Sequence, residues 1–265
     1  PIDSFLQWLG EDRTSRAIGV ILSGTASDGT LGLEGIKAEG GITLAQAPKS
    51  ARYDSMPRSA IAARCVDFIL SPEEIAEELA RISRHPYVVP AVAANPDDEE
   101  TERPAGKNGF NKILTLLRRT TGVDFSLYKT NTLDRRIRRR MILNKLDGLG
   151  EYAEYLRKNP LEVENLYQDI LINVTSFFRD PEAFEVLKEK IFPRIVGRRA
   201  PDDPVRIWVV GCSTGEEAYS IAMAFTEFAG ERSGHIPVQI FATDINQKGV
   251  DRARAGLYSI NIGED

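Results

Sequence analysis

The residues with the clearest chemical potential lie in one short run, Gly211-Cys212-Ser213-Thr214-Gly215-Glu216-Glu217, and in an acid one segment later, Asp244 of FATD. The run follows an apolar stretch, RIWVV, and leads into EEAYSIAMAF, whose apolar residues recur at helical spacing. Strand, glycine turn and helix together make the arrangement of a nucleotide-cofactor site. Glycine suits the turn because a Cβ would hold a ligand off the backbone. The dinucleotide fingerprint G-x-G-x-x-G is missing, however, and two carboxylates at a helix start repel a pyrophosphate. They suit a cationic ligand without phosphate, and S-adenosylmethionine, which carries an ammonium and a sulfonium, is of that kind. Asp244, at the carboxyl end of the following strand, can accept both ribose hydroxyl protons. Two other readings stay open. The glutamates can complement a helix dipole while Asp244 caps a turn. Alternatively, Gly211 to Gly215 spell the G-x-S-x-G elbow of an α/β-hydrolase with Ser213 as nucleophile. That fold needs a histidine after the acid, and the two histidines, His85 and His235, both precede Asp244.

These residues need a sheet to hold them, and the chain has the means to build one. At 265 residues it has room for one or two domains. Apolar residues at 42% and charged residues at 28% are ordinary globular usage, which excludes collagen-like, wholly disordered and disulfide-framework proteins. Cys65 and Cys212 stand far apart and in no CxxC, so neither a staple nor a four-cysteine zinc site is available and the reducing cytosol is the expected compartment. No apolar run approaches the roughly 20 residues of a membrane helix, and PIDSFLQWLG has no signal-peptide pattern, so a soluble cytoplasmic protein without membrane insertion is expected. A net charge of -5 argues against a nucleic-acid binder over the whole surface.

Residues 86–108 carry four prolines around an acidic cluster and read as a linker. Before it, residues 1–85 alternate between short apolar runs (AIGVIL, ITLAQ, CVDFIL) and helical periods, the βαβαβα pattern of parallel strands. After it, residues 109–199 read as a small helical domain, with Leu133, Ile137 and Met141 on one helix and Leu161, Val163, Leu166 and Ile170 on another. Asp180 and Pro181 read as an N-cap and N1 pair. Residues 200–265 run strand, loop, helix, strand, helix. The expected class is therefore α/β plus all-α: a partial parallel α/β piece, a linker, a helical domain, and the start of a Rossmann-like sheet. Each sheet needs more strands than it has here, so the chain reads as cut at both ends. Residues 109–150 hold ten Lys or Arg against three acids. Arg135, Arg136, Arg138, Arg139 and Arg140 lie away from the Leu133, Ile137, Met141 stripe, so this face could dock an acidic partner or simply be solvated. Nucleic acid is the weaker rival, since no exposed aromatics interleave with the charges.

The run NVTSFFRDPEAF (Asn173 to Phe184), followed by RIWVVGCSTGEEAYSIAM and by ATDI with its A-R-x-G-x-Y sequel, resembles the chemotaxis protein-glutamate O-methyltransferase family, CheR, from about Phe110 onward. The resemblance implies S-adenosylmethionine as cofactor and S-adenosylhomocysteine as product. It implies cofactor contacts from Asn173, Thr175 and Arg179 in the helical domain, Glu217 in the glycine loop and Asp244 on the second strand, with Arg179 also catalytic, near the reacting methyl. It implies as partners the cytoplasmic helices of methyl-accepting chemoreceptors facing this helical domain, which the basic face of Arg135, Arg136 and Arg139 could dock. PIDSFLQWL, GVILSGTASDGTLGLEGIKAEGG and TLAQAPKSARYDSMPRSAI are similar to the last third of the chemotaxis methylesterase CheB, whose triad aspartate matches Asp28. That family has M-G-x-D-G where this chain has T-A-S-D-G, with Thr25 in place of the methionine. The triad serine and histidine would precede Pro1, so this half is not expected to hydrolyse an ester. The order of the two resemblances implies an esterase and methyltransferase fusion of receptor adaptation, of which this stretch alone is not expected to be active. The alternative is a degenerate scaffold or binding module.

Overall fold

The alternation expected over the first 85 residues is realised in the computed structural model, which describes residues 1–85, 104–171, 175–197, 203–230 and 236–258. A helix, α1 (Ile2–Arg13), precedes β1 (Ile18–Ile21), α2 (Thr30–Ala38), β2 (Ile42–Gln46), α3 (Ser55–Ala62), β3 (Phe68–Leu70) and α4 (Pro72–Ile82). The strands are parallel in the order β1-β2-β3, with Ile18 opposite Ile42 and Leu44 opposite Phe68. Every residue of the central β2 is buried, which is why ITLAQ reads as an unbroken run rather than an alternation. Leu33, Ile36 and Ala60 pack with Ile21 in one cluster, and Ile75 and Ile82 pack with Ile42 and Leu44 in another. Between α2 and β2 the chain passes so close to β1 that a Cβ on Gly41 would lie 2.5 Å from the Ala17 carbonyl oxygen. A reciprocal capping box, Ser71 with Glu74, starts α4, with Pro72 in its first turn.

Four helices follow: α5 (Pro104–Thr121), α6 (Thr130–Leu143), α7 (Leu149–Lys158) and α8 (Pro160–Ile170). The expected linker falls, as far as residue 103, outside the described residues, and α5 begins inside its last stretch. Leu133, Ile137 and Met141 are buried as the spacing predicts, together with Val163, Leu166 and Ile170. Leu161 is the exception at 74% exposed, because on an α-helix it projects opposite Val163 and Ile170.

The chain divides into two compact units, Pro1–Ile172 and Asn173–Asp265. The N-terminal α/β piece and helices α5 to α8 fall in the first unit. Residues 175–197, expected in the helical domain, pack with the second sheet. The reason is aromatic packing: α9 (Pro181–Val186), a π-helical turn (Leu187–Ile191) and α10 (Phe192–Val196) bury Phe184 and Phe192 against Val205, Phe225 and Phe228. Asp180 precedes α9 as expected but does not cap it through its side chain. Its backbone is left-handed (φ 58°), and its carbonyl, not its carboxylate, accepts the Ala183 N–H.

The second unit runs β4 (Val205–Val210), α11 (Glu216–Gly230), β5 (Val238–Thr243) and α12 (Gln247–Ala255), with β4 and β5 parallel from Val205 opposite Val238 to Val210 opposite Thr243. Val205 packs with Ala224, Phe225 and Phe228 of α11, while Trp208, Val210 and Phe241 on the other face are exposed. Among the described residues no helix is long and apolar enough to cross a membrane, and no cluster of side chains is suited to a metal ion.

Candidate cofactor site

The loop after β4 is lashed to the end of β5: the Gly211 and Cys212 N–H groups both donate to the Thr243 carbonyl, at 2.8 and 3.1 Å. Gly215 closes the turn with φ 103°, and a Cβ there would lie 2.8 Å from both Ala253 Cβ and the Tyr258 hydroxyl, so only glycine fits. The two acids that open α11 then diverge. Glu216 is buried and accepts the Thr214 hydroxyl at 2.5 Å, whereas Glu217 is exposed. Asp244 is half-buried. One of its oxygens accepts the Ser213 N–H at 2.8 Å and the other the Asn246 N–H at 2.7 Å. A carboxylate offers about four acceptor positions, so roughly half of Asp244's remain for a ligand while the rest brace the loop.

Ser213 has a left-handed backbone (φ 52°), and its hydroxyl is buried without a hydrogen-bond partner, the one side-chain atom of that kind among the described residues. A hydrolase nucleophile must be exposed and touch a base, and this hydroxyl is neither exposed nor in contact with one. His85 faces the Leu146 carbonyl at 3.0 Å, and His235 lies outside the described residues. Burial, reinforced by the charge of Asp244, raises the Cys212 thiol above its ordinary range, so it is not a reactive thiolate.

Of the three residues expected on the T-S-F-F-R turn, Thr175 is half-buried, Arg179 is exposed, and Asn173 lies outside the described residues. Two attachments bring this turn to the glycine loop. The Phe178 N–H donates to the Ser220 hydroxyl at 2.9 Å, and that hydroxyl donates to the Glu216 carbonyl at 2.8 Å. The Phe177 ring meets Tyr258 edge-on with centroids 5.0 Å apart, and the Tyr258 hydroxyl donates to the Thr214 carbonyl at 2.7 Å. Burial, with Glu216 nearby, pushes the Tyr258 hydroxyl up to about 12, so it remains a donor at neutral pH. Sequence reasoning missed Ser220 and the role of Tyr258; the available signals were the four-residue spacing of Ser220 from Glu216 and the G-x-Y sequel. An apolar groove of about 310 Å³ runs along the flank of α11, lined by Ala218, Ala222, Ile240 and Ala242 among others, and neither Glu217 nor Asp244 lines it.

Asp28 is half-buried, and its carboxylate accepts the Ile2 and Asp3 N–H groups of the first turn of α1 at 3.3 and 3.1 Å. The Asp3 bond is the main cause holding its carboxyl below the ordinary range. Among the described residues no imidazole bonds to it.

Of the three arginines expected to form a docking face, two are buried against the chain itself. Arg139 is fully buried and Arg136 is 6% exposed; the side chain of Arg135 is one-third exposed and lies 3.6 Å from Glu39. The physical reason is that α6 packs against the α2–β2 turn, whose carbonyls and nearby Asp67 take the guanidinium hydrogen bonds.

The residues at the glycine loop fit S-adenosylmethionine. They are carboxylates instead of phosphate-binding cations, one acid has acceptor capacity to spare, a buried hydroxyl lacks a partner, and nothing lies within 4 Å of a Cβ built on Gly211. The family models agree in order. Residues 1–79 match the CheB methylesterase, 108–171 the all-alpha domain of the CheR methyltransferase, and 173–264 its SAM binding domain. An uncharacterized 104.1 kDa protein of Rhodobacter capsulatus is 38% identical over the whole chain, which covers 29% of that protein. Chemotaxis protein methyltransferase 2 of Pseudomonas aeruginosa is 33% identical over 58% of this chain and 53% of its own length. The chemotaxis protein methyltransferase of Listeria innocua is 32% identical over 54% of this chain and 52% of its own length. The chain thus spans about half the length of these methyltransferases and joins, in one polypeptide, a CheB methylesterase part to the all-alpha and SAM-binding parts of a CheR methyltransferase.

Proposed function

We propose that the protein of which this chain is part transfers a methyl group from S-adenosylmethionine to glutamate side chains on the cytoplasmic helices of chemoreceptors, and carries the opposing methylesterase in the same polypeptide. The observation that supports this most directly is Asp244. Its carboxylate holds the glycine loop by the Ser213 N–H and keeps acceptor positions open beside the exposed Glu217. The cofactor supplies an electrophilic methyl on a cationic sulfur. Asp244 would accept from its ribose hydroxyls, Glu217 would pair with its positive charge, and Thr175 and Arg179 of the turn, with Asn173 as the resemblance implies, would complete the cradle. A glutamate carboxylate is ionised at neutral pH and needs no general base. That carboxylate oxygen would take the methyl from the bound cofactor, with the carbon–sulfur electron pair kept by sulfur as the neutral thioether of S-adenosylhomocysteine. No proton moves, so the protein's contribution is alignment, with Arg179 near the methyl to orient the incoming carboxylate. In the methylesterase part, Asp28 is the acid that would orient the triad histidine. The cytoplasm is the compartment in this reading, and Cys65 and Cys212 are free thiols as it requires.

Titration calorimetry with S-adenosylhomocysteine tests the assignment. Asp244→Asn and Glu217→Gln are each expected to weaken binding by about 1–3 kcal/mol, because each leaves a ligand polar group without its charged acceptor. Unchanged affinity in both variants overturns it.

A further inference from the structure

Helix α6 carries five arginines, and the structure divides them between two jobs. Arg140 turns into its own helical domain, where it bonds the buried Glu162 at 2.8 and 2.5 Å, and Arg138 pairs along its own helix with Asp134 at 2.6 Å. The other three reach into the methylesterase part. Arg136 donates to the Lys37 carbonyl at 2.9 Å and to the Ala38 carbonyl, at the carboxyl end of α2 where the helix dipole is negative. Arg135 lies beside Glu39. Arg139, with no exposed surface, donates to the Gly41 carbonyl at 3.0 Å and bridges two carboxylates, Asp67 of the methylesterase part and Asp169 of α8. The same boundary is sealed by Ile142 against Ile42, Ile75 and Ile82. The basic face that the sequence offers to an acidic partner is therefore already holding one, and that partner is this chain's own methylesterase part.

We propose that the α6 arginine face is a docking surface shared by two ligands, closed here on the methylesterase part, and that an acidic helical partner engages it only by displacing that part. The inference rests on the acidic-partner element of the proposed function and adds the competition. Its physical basis is the cost of an unpaired buried charge. A neutral segment that displaced Asp67 and the α2 carbonyls would leave guanidinium groups without acceptors, whereas a glutamate-rich helix brings replacement carboxylates that offset this part of the cost. Esterase and transferase parts would then be coupled through one surface: with the face closed the receptor is held off, and with the receptor bound the two parts separate.

A reversible lock tests this. A Cβ built on Gly40 lies 3.8 Å from Arg135 Cβ, within the range that a disulfide spans, and the native Cys65 and Cys212 are buried and free. The full chain carrying Gly40→Cys and Arg135→Cys is titrated, oxidised and then reduced, with a fluorescent glutamate-rich helical peptide at low salt. The reduced form is expected to bind at least about tenfold more tightly than the locked form. Equal affinity of the two forms overturns the competition and leaves an acidic partner docked elsewhere. No binding by either form removes the acidic partner and overturns the inference with it. Because Gly40 has φ 89° and a side chain there strains the turn, hydrogen exchange on the unaltered chain provides a second reading. Saturating peptide is expected to speed exchange of the amides of residues 38–43 and 65–68, and unchanged protection there overturns the proposal.

Discussion

The molecule concentrates like charges in two places, and they have opposite fates. On α6 Arg136 is buried, Arg139 is fully buried between Asp67 and Asp169, and Arg140 bonds the buried Glu162. At the start of α11 the acids are divided, with Glu216 folded onto Thr214, Asp244 sharing itself between two backbone amides, and Glu217 exposed. Charge bonded to buried carboxylates and carbonyls of its own chain holds the fold together. Charge left with spare acceptors at a loop held rigid by its neighbours is a site. With the α6 face closed as it is here, the first region contributes stability and the second cofactor affinity, and the contrast can be broken from either side.

The largest effect is expected at Arg139. Replacing it with Met keeps much of the bulk but removes the cation that Asp67 and Asp169 share, leaving them the more distant Lys37 and Arg140, which costs about 3 kcal/mol of unfolding free energy. Arg138→Ala, on the same helix but partly exposed and paired with Asp134 along the helix, is expected to cost less than about 1 kcal/mol. Urea denaturation of the two variants measures the contrast, and a similar small loss in both would show that the interior of α6 is no more structural than its surface.

The pH dependence follows from the same pair and is smaller. Burial alone would raise the Asp67 carboxyl, but Arg139 and Lys37 outweigh it and hold it below its ordinary 3.8. A carboxyl depressed in the folded state contributes stability that is fully present above its unfolded value and lost as pH falls through its folded value. Stability should therefore decline below about pH 3.8, and Asp67→Asn should flatten that decline while lowering stability at neutral pH. An acid limb of unchanged slope in Asp67→Asn would separate the carboxylate from the clamp.

The contrast also explains what could be read without a structure. The parallel strands were legible because a central strand buried on both faces must be apolar throughout, as β2 is, and Ser71-Pro72 with Glu74 marks a helix start by its own local bonds. Helix α1 was not legible, since Phe5 and Trp8 remain exposed on it and blur the pattern of a buried face. Glu217 and Asp244 were visible because their type conflicts with phosphate binding next to a glycine turn. Ser220 and Tyr258 were not, because they act through backbone groups that every residue has. The arginines were seen, but not their partners within the chain. A helical wheel shows which face lacks apolar residues and not what lies opposite it, and the carboxylates that neutralise Arg139 stand 72 and 30 positions away in the chain.

The smallest stability effect is expected at Glu217, and its smallness is the point. The side chain is exposed in the first turn of α11, where a carboxylate interacts with the helix dipole for about 0.3–1 kcal/mol. Glu217→Gln removes that charge without disturbing a buried contact, so thermal or urea unfolding should shift by no more than this amount. The same variant is expected to lose cofactor affinity by a larger margin, since the acid meets a cation on the ligand and only water in its absence. Stability and affinity would thus respond in opposite proportion to Arg139→Met, which removes a charge far more costly to lose from the fold and none at the glycine loop. If Glu217→Gln instead destabilised the fold by several kcal/mol and left S-adenosylhomocysteine binding intact, the acid would be part of the framework like the arginines of α6, and the difference between the two regions would disappear.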